Sequence, residues 1–113
     1  MNYFKSSSIS KGEEEILIQQ YRESKDLTIL GDLYQKHTEM VYYVCLRYLQ
    51  YAELSKDAVM NIFEELIIKI NKQEIQDFPR WLYVVAKNHC LMYLRSQKNK
   101  SEISIDEFVK FPS

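Results

Sequence analysis

Scarcity of turn residues constrains this chain more than any other feature. In 113 residues it has two glycines, Gly12 and Gly31, and two prolines, Pro79 and Pro112. Sandwiches and barrels reverse direction often and need many more such positions. Long uninterrupted segments remain, and their apolar residues recur at three and four positions, the period of a helix. The expected fold class is therefore all-α, a compact bundle of about four helices with one core. A chain of this length buries roughly two-thirds of its unfolded surface. Its 46% apolar and 27% charged residues are the mixture of a soluble globular protein.

The polar, serine-rich segment Met1 to Ser10 reads as a flexible N-terminal arm. A first helix is expected from about Gly12 to Glu23, opening on Glu13, Glu14 and Glu15, which suit the positive end of the helix dipole. Asp26 can cap a second, long helix ending near Tyr51, with Gly31 as a candidate break. Its apolar stripe is Leu30, Leu33, Tyr34, His37, Val41, Val44, Cys45 and Tyr48. Ser55 is a candidate cap for a third helix, with Asp57 in its first turn, continuing to about Asn71. Asn71 to Phe78 reads as a polar loop. Pro79 suits the first turn of a fourth helix, which runs to about Gln97. The expected division is thus 1–10 arm, 11–97 helical domain and 98–113 linker or tail. Ser104 and Glu107 form a weak capping box before Phe108 and Val109, so a short last turn is expected there.

Two helix faces depart from a plain core pattern. Projected at 100° per residue, Arg80, Lys87, Arg95 and Lys98 of the fourth helix fall within roughly 80° of one another. Trp81 and Asn88 lie beside them, while Leu82, Val85, Ala86 and Tyr93 point the other way. No acidic residue falls between Asp77 and Glu102. Cations for phosphates, with an indole and an amide alongside, suit a nucleic-acid strand. Such a stripe is also the ordinary look of a solvated face, and basic residues near a helix C-terminus answer the dipole. Val84 and Leu91 share the sector. The third helix has the opposite polarity: Val59, Ile62, Phe63, Leu66 and Ile70 form an apolar face, and Asp57, Asn61, Glu64 and Glu65 lie opposite with Ile68 among them. That arrangement suits a protein-docking surface with an apolar centre and polar rim; a singly exposed aliphatic is the alternative.

Other chemistry is sparse. Net charge is −1, so any affinity for phosphates must come from local clustering. Cys45 and Cys90 read as two buried thiols of a reducing, cytoplasmic compartment rather than a disulfide. The longest apolar run, Val41 to Leu46, falls far short of the ~20 residues that span a bilayer, and no signal peptide is visible. His37 reads as a core histidine bonded to backbone. His89 and Cys90 diverge by about 100° on a helix, so no metal site is expected. Glu64 and Glu65 diverge likewise and make a poor acid/base pair. There is no phosphate-binding glycine loop and no Gly-x-Ser-x-Gly, so neither a cofactor nor an enzyme activity is expected. Tyr42, Tyr43, Tyr51 and Tyr83 are candidates for the surface.

Read in order, three segments resemble region 2 of the extracytoplasmic-function (ECF) sigma factors. They are LYQKHTEMVYYVCLRYL (Leu33 to Leu49), KDAVMNIFEEL (Lys56 to Leu66) and FPRWLYVVAKNHCLMYLR (Phe78 to Arg95). The last carries that family's Trp-Leu, Ala, Asn and closing Leu-Arg at the right spacing. The resemblance implies a sigma-region-2-like fold and a transcription initiation factor. It implies that the third helix binds the clamp helices of the largest subunit of core RNA polymerase, through Asp57, Met60, Asn61, Glu64 and Ile68. It implies that the loop, through Asn71, Lys72, Gln73 and Phe78, takes a base flipped out of the −10 promoter element. The fourth helix would hold the non-template strand through Arg80, Trp81, Lys87, Asn88, Arg95 and Lys98. Two positions depart from the family's usual residues: Met60 stands where Gln is usual and Met92 where Asp is usual. By that resemblance Met60 would remove a polar contact to the polymerase, whereas Met92 projects away from the basic stripe. The resemblance further implies a second helical domain that reads the −35 element, and an anti-sigma protein as a possible partner. The rival expectation is a sigma-like decoy or adaptor that binds polymerase or an anti-sigma protein without opening DNA.

Overall fold

The computed structural model describes residues 10–104, with side chains as far as Lys98. The expected N-terminal arm before Ser10 and the short turn at Glu107 to Val109 lie outside the described residues. Within them there are five helices and no strand: α1 (Lys11–Ser24), α2 (Leu27–Gln35), α3 (Thr38–Leu49), α4 (Ala52–Lys72) and α5 (Phe78–Ser104). None of these helices is long and apolar enough to cross a membrane.

α1 begins on a reciprocal cap. Ser10 Oγ accepts from the Glu13 N–H and Glu13 Oε1 accepts from the Ser10 N–H, both at 3.1 Å. Two N–H groups that a helix start leaves without partners are thereby satisfied. α1 stops where Lys25 turns left-handed (φ 60°) and donates its N–H back to Tyr21 O. Asp26 then caps α2, its Oδ1 accepting from the Thr28 N–H at 2.9 Å, as expected.

The expected single helix from Asp26 to Tyr51 is two, which raises the helix count to five. The break is at Lys36 and His37, not at Gly31, which stays inside α2 with no positive φ. At the break the Lys36 and His37 N–H groups bond three residues back, to Leu33 O and Tyr34 O, which tightens the last turn. His37 leaves helical geometry (φ −123°, ψ 9°) and its imidazole meets Glu14 of α1 at 2.6 Å. His37 is thus bonded to a buried carboxylate, not to backbone.

α3 ends on Gln50 in the left-handed region (φ 66°), and α4 begins at Ala52, one turn earlier than Ser55 would set it. Ser55 is buried inside α4, and its hydroxyl donates to Tyr51 O at 2.8 Å. With its oxygen turned back onto the preceding turn it cannot serve as a cap. α5 begins where expected, with Pro79 in its first turn and the Arg80 N–H on Asp77 Oδ1 at 3.3 Å. It continues past Gln97 to Ser104.

α3 lies at the centre, packed on both α4 and α5, with α1 against α2 and touching the other two. Val41 and Cys45 of α3, Ile62, Leu66 and Ile70 of α4, and Leu82, Ala86 and Cys90 of α5 are fully buried. Cys45 and Cys90 are free thiols. Cys45 is pushed well above its ordinary value by its hydrogen bond with Cys90 and by burial. Of the four tyrosines expected at the surface, Tyr43, Tyr51 and Tyr83 are exposed and Tyr42 is half-buried.

Candidate functional site

Spacing on α4 is decisive for its outer face. Asp57, Asn61, Glu64 and Ile68 stand at i, i+4, i+7 and i+11, one stripe of a helix. All four are exposed, and Met60 beside them is 68% exposed. The inner face of the same helix is buried in the core, so this stripe is free to meet a partner. It pairs two carboxylates and an amide with exposed aliphatic surface. Glu65, expected on this face, lies instead in the seam between α4 and α5. Its Oε2 meets His89 Nδ1 at 2.5 Å and its Oε1 meets Lys69 Nζ at 3.1 Å. That seam opens as a groove of about 440 Å³, with Asn61 on one bank and Asn88 and Met92 on the other.

The cationic stripe of α5 is on the surface. The Arg80 side chain is 81% exposed and makes a loose ion pair with Asp77 at 3.9 Å, three residues away. Arg95, Lys98 and Asn88 are exposed, and Lys87 is half-buried. Val84 shares the stripe and is exposed, while Leu91 is half-buried. Arg95 Nη1 lies 3.7 Å from Met92 Sδ, so Met92 adjoins the stripe rather than projecting away from it.

Between these faces lies the loop from Gln73 to Asp77; Asn71 and Lys72 belong to the last turn of α4. Asn71, Lys72 and Gln73 are exposed. Asn71 Nδ2 donates to Ile67 O at 3.0 Å, and Gln73 Oε1 accepts from Trp81 Nε1 at 2.8 Å. The indole, half-buried, is tethered to the loop at the start of the basic stripe. Phe78, expected to touch a strand, is core instead, 2% exposed. It shares the inward face of Leu82 and Val85 at i+4 and i+7. Its ring lies 5.5 Å from His37 and 5.9 Å from Trp81, so it backs the indole and offers no direct contact.

Two residues with a part in this arrangement carry no signal in the sequence. Arg22 of α1 reaches the end of α4, with Nε donating to Ile70 O at 2.9 Å and Nη2 to Gln73 O at 2.7 Å. Glu14 holds the break before α3 through His37. Both act across long sequence separations, which helix periodicity cannot report. Among the described residues no three His, Cys, Asp or Glu side chains gather as a metal site. The arrangement presents cations and an indole on one helix and carboxylates with an apolar centre on another.

A family model described as Sigma-70 region 2 matches residues 33–100, more than half of the chain. The match takes in α3, α4, most of α5 and the end of α2, and leaves α1 outside. No curated protein and no solved structure matches the chain.

Proposed function

The chain belongs to the sigma-70 region 2 family, and from that premise we propose that it docks on core RNA polymerase and melts the −10 promoter element, as an ECF-type factor of the cytoplasm. The observation that supports this most is the surface stripe of exposed Arg80 and Arg95 with half-buried Lys87, which begins beside the tethered Trp81. In this reading Arg80, Lys87, Arg95 and Lys98 neutralise phosphates of the non-template strand, and Asn88 adds a donor and an acceptor. Trp81 presents ring surface to an unstacked base, with Asn71, Lys72 and Gln73 at the rim. Capturing that base offsets the few kcal/mol needed to unpair and unstack it, and so shifts a closed promoter towards the open state. Asp57, Asn61, Glu64 and Ile68 meet the clamp helices of the polymerase. Met60 contributes apolar area there in place of a polar contact.

Fluorescence anisotropy with single-stranded −10 DNA tests the strand face. Four phosphate contacts predict that log K falls with log salt at a slope of about −3. Arg80→Glu combined with Lys87→Glu should weaken binding by at least about tenfold. Absence of binding at low salt overturns the proposal. If polymerase is still bound in that case, the chain is a decoy that docks without opening DNA.

A further inference from the structure

We infer that Arg22 is a positioning residue for the strand-binding loop, acting from α1 through Gln73 on Trp81; this rests on the strand-binding role proposed above. A helix ends with carbonyls that have no partner in the helix. At the end of α4 the Arg22 guanidinium takes one of them, Ile70 O at 2.9 Å, and with a second arm takes Gln73 O at 2.7 Å. These carbonyls lie on either side of the point where the chain leaves α4, and Gln73 there is extended (φ −122°, ψ 150°). One planar fork therefore sets the direction in which the loop departs. A lysine, with a single compact ammonium, lacks that two-armed geometry.

From Gln73 the path continues through its side chain, whose Oε1 accepts from Trp81 Nε1 at 2.8 Å. Two hydrogen bonds thus run through Gln73 from the last turn of α1 to the indole, and the Arg22 bond to Ile70 O braces the first of them. Phe78 also lies against the indole, which packs on the edge of the core. With Gln73 fixed, the ring is held in place before a strand arrives, and the ordering that binding would otherwise require is already done. α1 itself is anchored independently by buried Ile18 and Tyr21. Removing the guanidinium therefore loosens the loop without undocking the helix. α1 lies outside the segment matched to the family, so this device adds to the matched fold from a neighbouring helix.

Trp81 is the only tryptophan of the chain, and its emission reports the tether without DNA present. Arg22→Gln should increase acrylamide quenching of Trp81 and weaken single-stranded −10 DNA binding by about tenfold. The circular-dichroism melt and polymerase binding should stay close to those of the unaltered protein, and Arg22→Lys should restore the DNA affinity only in part. Gln73→Ala, at an exposed position, cuts the same path and serves if Arg22→Gln does not fold. Combined with Arg22→Gln it should add little further loss. Unchanged quenching, unchanged DNA affinity or fully additive losses each overturn the inference. DNA binding that is absent from the unaltered protein overturns the strand-binding reading as well, whereas binding that persists undiminished in Arg22→Gln overturns this inference alone.

Discussion

Glu14 lies in the interior, 4% exposed, and His37 is the partner that lets it stay there. Among the described residues no buried side-chain nitrogen or oxygen lacks a partner, so losing His37 creates a defect the fold otherwise avoids. Breaking a buried pair from one side costs roughly 3–5 kcal/mol, while replacing both members by apolar residues is often nearly neutral. His37→Ala should accordingly lower the unfolding free energy by about 3 kcal/mol in urea. Glu14→Leu together with His37→Leu should recover most of that. Equal losses in the single and double variants would show that the pair is not what holds Glu14. Tyr34 gives a second residue-level test. Its hydroxyl donates to Val59 O at 2.7 Å. Burial, with Cys45 and Glu65 nearby, pushes the phenol far above its ordinary value. The folded protein therefore keeps this proton after the unfolded chain has lost it. The associated stability is complete below pH ~10, the unfolded value, and is lost as pH rises towards the folded value. Tyr34→Phe should cost about 1 kcal/mol at neutral pH. It should also flatten the alkaline decline in urea midpoint relative to the unaltered protein.

At the scale of elements, α4 and α5 were legible because each has one apolar face and one polar face at helical spacing. Asp57, Asn61, Glu64 and Ile68 project together outside as the pattern requires. The break between α2 and α3 was illegible for a physical reason. No glycine or proline marks it; it is set by a contact between His37 and a carboxylate 23 residues earlier. Ser55 misled because a good capping residue also fits inside a helix when its hydroxyl can bond back one turn. Phe78 misled because its position next to a polar loop said nothing of its i+4 and i+7 neighbours in the core. Arg22 lies in the last turn of its own helix, where any basic residue suits the dipole, and helical spacing carries no sign of its reach to another helix. The outer face of α4 yields its own test. In pull-down with core RNA polymerase, Asp57→Arg with Glu64→Arg should reduce capture by at least about tenfold, since like charge then replaces complementary charge at an interface. Undiminished capture would place the docking surface elsewhere.

Over the whole molecule, the two faces are carried by different helices with a shared core and a loop tied to both. α4 turns acid and aliphatic surface outward, α5 turns cations outward, and Gln73 between them holds the indole at the start of the cationic stripe. The proposed function therefore requires both surfaces at once, one to bring the chain to the enzyme and one to keep a strand apart from its complement. The most direct measurement uses duplex promoter DNA with 2-aminopurine in the −10 element, whose fluorescence rises on unstacking. With core polymerase and this chain together the signal should rise. It should fall away with Arg80→Glu and Lys87→Glu on one face, or with Asp57→Arg and Glu64→Arg on the other. A rise that survives both sets of substitutions, or no rise with the unaltered protein, would contradict the account.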